Sequence, residues 1–128
     1  MKYLLDTHAV VWLLTGDKRF GERAAEALVD LSRQDVFVAD ICLLEIALIQ
    51  RLGRIQVDQG LESLLNTVAK LYTVLPITGE IAAQAVALPL PQGDPFDRVI
   101  AATAVVHGLT LVTKDRQLTA SGAVDVLW

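Results

Sequence analysis

Cysteine, histidine and long apolar runs are all scarce in this 128-residue sequence. The single cysteine, Cys42, has no partner for an internal disulfide, which fits a reducing compartment. With only two histidines beside it, the chain has too few thiol and imidazole ligands for a zinc site of the Cys/His type. The sequence contains no uncharged stretch of about 18 apolar residues, and residues 1–8 lack the apolar core of a signal peptide. We therefore expect a cytoplasmic protein without a membrane span.

Charge and hydrophobicity narrow the class of protein further. Hydrophobic residues make up 53% of the chain and charged residues 20%, which excludes disorder and predicts a single domain over residues 1–128. The high apolar fraction suggests a surface that another chain covers. Fifteen acids against eleven bases give a net charge of −4. This charge argues against binding nucleic acid by bulk electrostatics, but it allows an enzyme whose acids are neutralised by metal ions.

Short apolar segments alternate with amphipathic ones along the chain. The predicted strands cover residues 3–5, 36–39, 72–77, 109–113 and 123–128. The first predicted helix begins near Thr7, and one further on runs from a Thr78 N-cap to about residue 88. The other predicted helices cover 21–33, 41–52, 58–72, 95–106 and 116–120. Asp40 is the predicted N-cap of the helix at 41–52. Prolines mark a loop at 89–94. The alternation predicts an α/β fold of three α/β/α layers around a central, mainly parallel sheet of about five short strands.

Two acids follow predicted strands. Asp6 comes directly after the apolar stretch 3–5, and Asp115 follows the strand at 109–113. Both therefore stand near carboxyl ends of strands, where ligands bind in open α/β sheets. For Asp115, the alternative is an N-cap for the helix at 116–120.

Glu45 is the only charge between Ile41 and Ile49. An apolar stripe on its helical face, which we expect to face the core, consists of Ile41, Leu44, Leu48 and Leu52. A carboxylate beside such a stripe is costly unless it is paired or binds metal. The alternative to a metal ligand is a buried ion pair with an arginine.

Asp97 stands in the first turn of the helix that begins at Pro95 and continues without charge from Val99 to Val106. An acid at this position is also favoured by the helix dipole, by about 0.3–1 kcal/mol, and that is the alternative explanation. Asp94, three residues earlier, is better explained as the N-cap of the same helix.

Two strand-end acids and two helix acids can converge at one edge of a parallel sheet. Carboxylates this close repel one another and need a cation to coexist in the charged form. Oxygen ligation without histidine or thiolate predicts Mg²⁺, with Mn²⁺ as a substitute. Such ions activate water and neutralise a phosphodiester during displacement, so the predicted reaction is metal-dependent phosphate ester hydrolysis.

Four segments carry these acids in order over most of the chain. They are Leu4-Leu5-Asp6-Thr7-His8 with Trp12, Glu45-Ile46-Ala47 with Gly53-Arg54-Ile55, Asp94-Pro95-Phe96-Asp97-Arg98 with Ile100-Ala101, and Leu111-Val112-Thr113-Lys114-Asp115. Together they resemble the motifs of PIN-domain nucleases, and among these the VapC-type toxins of bacterial and archaeal toxin–antitoxin pairs. The sequence departs from this group at Ala39, Asp40 and Cys42, where the family often has serine, which puts some supporting hydrogen bonds in doubt.

The resemblance implies a Mg²⁺-dependent endoribonuclease toxin that cleaves cytoplasmic RNA, forms a homodimer and is inhibited by a small antitoxin protein. The acids implied to ligate metal and position the attacking water are Asp6, Glu45, Asp97 and Asp115. The residues implied to support them are Thr7, Thr113 and, at the periphery, Asp94.

Three basic residues flank the acids: Arg98, Lys114 and Arg116. They could contact RNA phosphates or balance the acidic cluster, and the sequence leaves both roles open. His8 could approach the site but is better explained as structural. Cys42 has no neighbouring base, so we expect no thiol nucleophile.

Other functions are less compatible with the sequence. A phosphatase of the haloacid dehalogenase kind needs an aspartate two residues after Asp6, where this chain has His8. Neither the dinucleotide nor the P-loop glycine pattern is present. The remaining alternative is a catalytically inactive PIN-like module that binds RNA or protein, although all four acids are intact.

Overall fold

The computed structural model describes residues 2–90 and 93–128, which form five strands and seven α-helices. The strands are β1 (Tyr3–Leu5), β2 (Val36–Ala39), β3 (Thr73–Leu75), β4 (Thr110–Val112) and β5 (Val126–Leu127). The helices are α1 (Thr7–Thr15), α2 (Glu22–Leu28), α3 (Asp40–Arg51), α4 (Leu61–Leu71), α5 (Gly79–Ala87), α6 (Pro95–His107) and α7 (Arg116–Ser121). None of these helices combines the length and apolar character that crossing a bilayer needs.

The sheet has the strand order β3-β2-β1-β4-β5, and every neighbouring pair is parallel. β1 is the central strand: Leu5 pairs with Val38 of β2 on one side and with Val112 of β4 on the other. The carboxyl ends of these three strands therefore meet at one edge.

The two faces of the sheet are covered by separate apolar clusters. Tyr3 and Leu5 of β1 pack in a cluster with Val10 of α1 and Ile46 of α3. Leu4, between them, points to the opposite face, in the cluster formed chiefly by α5 and α6. This alternation along a three-residue strand confirms the predicted three-layer α/β/α fold with a parallel sheet.

Several predicted boundaries are wrong by a few residues. The helix predicted over 21–33 ends at Leu28, because Leu31 packs against the core from the following loop without continuing the helix. The helix predicted from residue 58 begins after Gly60, which is its N-cap in an extended conformation. The strands at 72–77, 109–113 and 123–128 pair over fewer residues than predicted. The predicted loop at 89–94 includes residues 91 and 92, which lie outside the described residues.

The predicted caps have different outcomes. Thr78 accepts from the backbone N–H of Ile81 at 3.2 Å, which confirms it as the N-cap of α5. Asp40 is not a cap. It lies inside α3, and its Oδ2 accepts from the backbone N–H of Ile77 at 3.0 Å. Asp40 therefore joins α3 to the chain just after β3, a contact between residues far apart in sequence.

The leucine stripe of α3 does not face the core. Leu44, Leu48 and Leu52 are 56%, 42% and 67% exposed, whereas the buried face of the helix carries Cys42 and Ile46. The predicted orientation is therefore wrong for these three leucines. Their spacing of four residues forms one apolar stripe on the outside of the domain.

Candidate active site

Asp6 occupies the turn between β1 and α1. Its backbone N–H donates to Val112 of β4 at 3.1 Å, so the residue is still tied to the sheet. Its carboxylate accepts from the backbone N–H of Ala9 at 2.8 Å and forms the N-cap of α1. The Thr113 hydroxyl also hydrogen-bonds to this carboxylate. These contacts hold Asp6 at the carboxyl edge of the central strand.

Asp115 lies at the same edge, three residues beyond the end of β4. It accepts from the backbone N–H groups of Gln117 and Leu118 at 2.8 and 3.2 Å, so it caps α7 as the alternative explanation required. Its own N–H donates to the Thr113 hydroxyl at 3.1 Å. Because buried Thr113 contacts both Asp6 and Asp115, it joins the two strand-end acids.

Glu45 reaches the site from the second turn of α3. The Thr7 hydroxyl, which is buried, donates to Oε1 of Glu45. The partner of Glu45 is thus a neutral hydroxyl and not an arginine. Within the described residues, the one ion pair is between Arg19 and Asp17. Thr7 therefore contacts one of the four acids, Glu45, and Thr113 contacts two, Asp6 and Asp115.

Asp97 lies in the first turn of α6. Asp94, the predicted N-cap of this helix, accepts from the backbone N–H of Phe96 at 2.9 Å. The caps and strand ends together bring four acids from four separate elements into electrostatic contact: Asp6, Glu45, Asp97 and Asp115.

Burial and neighbouring charges raise the pKa values of three of the acids. Burial, followed by the charges of Asp94, Glu45, Asp115 and Asp6, raises the pKa of Asp97 to about 7. Burial is also the largest cause of the raised pKa values of Asp6 and Glu45, although hydroxyl hydrogen bonds oppose it. Without a cation, this cluster therefore favours partial protonation near neutral pH.

The donor set fits a hard divalent cation. It consists of carboxylates and hydroxyls, and the nearby thiol of Cys42 is no ligand because burial raises its pKa to about 12. Within residues 2–90 and 93–128, no three His, Cys, Asp or Glu side chains are grouped closely enough to ligate one ion directly. A divalent cation that binds through one or two carboxylates and keeps several waters, as Mg²⁺ typically does, needs no closer grouping than this.

The predicted basic residues have different surroundings. Lys114 and Arg116 are exposed beside Asp115. The Arg98 guanidinium instead donates to backbone carbonyl oxygens between residues 85 and 90. His8 is exposed, and its charge lowers the pKa values of Asp6 and Glu45, so it approaches the site as well as contacting Trp12.

Arg19 was not predicted as part of this region. Its guanidinium lies 4.8 Å from the Trp12 ring centroid, and the Lys114 ammonium lies 5.7 Å from the same ring. A cavity of about 370 Å³ beside His8 is lined by Trp12, Arg19 and Arg54, among others. No local pattern marks Arg19, because the contact depends on how the chain turns back after α1.

Comparison with known proteins places this geometry in context. The sequence matches the PIN domain family over residues 3–122. The chain belongs to the PIN-domain family. Ribonuclease VapC22 of Mycobacterium tuberculosis is 40% identical to this PIN domain over 116 residues, which are 90% of this chain and 88% of that protein. The resemblance to VapC-type PIN domains, predicted from four motifs, is therefore confirmed.

Solved structures share the fold of this PIN domain. FitAcB from Neisseria gonorrhoeae has a TM-score of 0.70 and 26% identity, covering 98% of this chain and 96% of that chain. A toxin–antitoxin complex from Klebsiella pneumoniae has a TM-score of 0.70 and 22% identity, covering 99% and 97%. At 22% identity, the similarity to the Klebsiella pneumoniae structure shows a shared fold only.

If Glu45 ligates a divalent cation, replacement of Thr7 by valine should weaken Mn²⁺ binding and slow catalysis by about 10–100-fold, the usual effect of losing a partner that orients a ligand. Valine keeps the shape of threonine but leaves Glu45 without the hydroxyl bond. The measurements are a Mn²⁺ titration and initial rates of RNA cleavage. Thr7→Ser should retain most of both, and Thr67→Val, on α4, serves as control. Equal metal affinity in Thr7→Val and wild type would contradict the assigned support of Glu45.

Proposed function

We propose that this PIN domain is a Mg²⁺-dependent endoribonuclease toxin that hydrolyses RNA phosphodiester bonds, with Mn²⁺ able to substitute. The observation that carries the proposal is the grouping of four carboxylates near one edge of the sheet, where Thr113 contacts Asp6 and Asp115, Thr7 bonds Glu45, and Asp97 is half-buried. Such a cluster is charged and stable at neutral pH when a divalent cation offsets the repulsion. The 40% identity to a ribonuclease over nearly the whole chain supports RNA as the substrate.

The four acids would hold the metal and position the attacking water: Asp6, Glu45, Asp97 and Asp115. A bound Mg²⁺ supplies Lewis-acid stabilisation of charge on the phosphate and lowers the pKa of water. Thr7 orients Glu45, and Thr113 holds Asp6 and Asp115 next to each other. Asp94 contributes at the periphery by capping α6 and by its charge near Asp97.

Lys114 and Arg116 are the side chains that we expect to contact RNA phosphates. Both are exposed and flank Asp115 at the edge of the sheet where the acids lie. Their role would be local, because the chain as a whole carries a net charge of −4 and would repel a polyanion at long range.

RNA cleavage by the purified chain tests the proposal. Structured cellular RNA should be cut in Mg²⁺ or Mn²⁺, remain intact in excess EDTA, and be cut again once Mg²⁺ is added back. Cleavage that survives chelation would contradict the metal mechanism. RNA binding without cleavage in any divalent ion would favour the alternative, a catalytically inactive PIN-like module.

We also propose a small antitoxin protein as partner, acting on this toxin in the cytoplasm. The fold is shared with a protein solved as a toxin–antitoxin complex, and the chain is 40% identical to a VapC protein. An antitoxin would make the nuclease harmless in the cell until it is removed. Growth arrest that a small neighbouring gene relieves is the expected observation.

A homodimer is the third part of the proposal, and the exposed stripe of Leu44, Leu48 and Leu52 is the surface that a second copy would bury. A helix face of this kind, with three leucines exposed by 42% or more, is costly in water. The stripe lies on α3 beside Glu45, so a second copy would cover the helix that carries one of the acids.

Leu48→Glu is expected to weaken self-association by at least about 10²-fold, because it would bury an unpaired charge in the interface. Sedimentation equilibrium at micromolar concentration measures the change. Val29→Glu, at another exposed apolar position outside the stripe, is the matched control. A monomeric wild-type chain, or a dimer that persists in Leu48→Glu, would rule out this interface.

A further inference from the structure

Arg98 makes an unusual set of contacts for a residue beside an acidic site. Its Nε donates to the carbonyl of Ala85 at 2.9 Å, and its Nη1 donates to that of Leu90 at 3.1 Å. Its Nη2 donates to the carbonyls of Val86 and Leu88 at 3.2 and 2.9 Å. The guanidinium is thus bound to the end of α5 and to the residues that follow it.

Two of these carbonyls, those of Ala85 and Val86, belong to the last turn of α5, where the helix cannot satisfy them internally, and those of Leu88 and Leu90 follow the helix. The last four carbonyls of any helix lack N–H partners, and α5 ends at Ala87. A positive charge at this end is also favoured by the helix dipole. Arg98 therefore closes the end of α5, although it belongs to the next helix in the chain.

The same residue lies directly after Asp97 in the first turn of α6. Its backbone N–H donates to the carbonyl of Asp94, so side chain and backbone together join both acids of this turn to the end of α5. Asp97 is half-buried among carboxylates that repel it. A fixed helix start is required to keep it there.

We propose that Arg98 is a positioning residue that fixes the start of α6, and with it Asp97, in the geometry needed to bind the divalent cation. This inference rests on the proposed metal-dependent function. In this role Arg98 neither contacts a phosphate nor balances the charge of the acids, which are the two roles that the sequence leaves open. Lysine cannot replace it, because an ammonium is a point donor, whereas the guanidinium presents a planar fork of donors to several carbonyls at once.

The test compares wild type, Arg98→Lys and Ile100→Val by Mn²⁺ titration and by steady-state cleavage of RNA. Arg98→Lys keeps the charge and is expected to weaken Mn²⁺ affinity by about 10–100-fold and to lower kcat, with the KM for RNA changed less than about twofold. Ile100→Val removes a methyl group from a buried side chain of the same helix. It lowers stability without changing the contacts of Arg98, so it should leave Mn²⁺ affinity unchanged. Where Arg98→Lys is partly unfolded, sucrose restores the folded state before the titration.

Two results would overturn the inference: unchanged Mn²⁺ affinity in folded Arg98→Lys, or a raised KM with unchanged kcat, which indicates a phosphate contact. Equal loss of Mn²⁺ affinity in Ile100→Val would also overturn it, because general destabilisation would then be sufficient. If wild type itself binds no Mn²⁺, the proposed function fails first and this inference fails with it.

Discussion

Asp6→Asn is expected to lower the rate of RNA cleavage by roughly 10³-fold or more. Metal-ion catalysis supplies several kcal/mol, and about 1.36 kcal/mol corresponds to a factor of ten in rate. Losing one carboxylate of the proposed metal site would therefore lower the rate by several factors of ten. The fold should survive, because asparagine is as good an N-cap as aspartate and can still accept from the N–H of Ala9.

Single-turnover cleavage in Mg²⁺ measures the effect, with circular dichroism to verify the fold. Asp58→Asn, an exposed acid before α4, is the charge-matched control and should cleave at the wild-type rate. Expression in cells tests whether toxicity depends on cleavage: wild type and Asp58→Asn should arrest growth, and Asp6→Asn should not. Undiminished cleavage by Asp6→Asn would refute the assigned site.

Asp97→Asn is expected to abolish cleavage and yet to stabilise the metal-free protein at pH 8. The pKa of Asp97 is raised from 3.8 to about 7, so the folded state binds this proton more tightly than the unfolded state does. The stability contributed by the protonated acid is fully present below pH 3.8 and is lost as the pH rises through about 7. Asparagine, which is always neutral, does not lose it.

The expected gain is about 1–2 kcal/mol in the free energy of unfolding at pH 8. The full pKa difference corresponds to roughly 4 kcal/mol, and solvent screening of a half-exposed carboxyl reduces it. Urea denaturation in EDTA between pH 4 and pH 8 should show wild type losing stability with rising pH and Asp97→Asn losing less. A residual slope is expected, because the pKa values of Asp6 and Glu45 are raised too.

Adding Mg²⁺ should reverse the order of the two proteins at pH 8. The cation offsets the repulsion in wild type and stabilises it by mass action, whereas Asp97→Asn has lost part of the site. Asp58→Asn should follow wild type under all these conditions. A metal-free Asp97→Asn that is less stable than wild type at pH 8 would show that repulsion does not dominate at this position.

The order of elements and the position of the acids were predictable because they depend on local patterns. The strand at Val36–Ala39 appears as predicted, and Asp6 and Asp115 stand near the ends of apolar strands as expected. Parallel pairing then brings these ends together without further information. The N-cap at Thr78 was predictable for the same reason, since its hydroxyl and the backbone N–H that it accepts from lie within one helical turn.

Contacts across the chain were not predictable in the same way. The leucines of α3 have helical spacing, but spacing does not distinguish the core of the domain from a surface that another copy covers. Asp40 had the side chain of an N-cap and instead bonds Ile77, 37 residues away. The charge of Arg98 is visible in the sequence, but its contacts depend on where α5 ends, in a different segment of the chain.

The central position of β1 gives Asp6 and Asp115 a different local environment from that of Asp97. Asp6 and Asp115 are tied to β1 and β4 in the middle of the sheet, the part of a domain that opens last in native-state fluctuations. Asp97 depends instead on the start of α6, which the Arg98 guanidinium joins to the end of α5. Local opening there would move Asp97 away from Asp6 and Asp115 while the sheet stays intact, so the proposed metal site would be lost before the core unfolds.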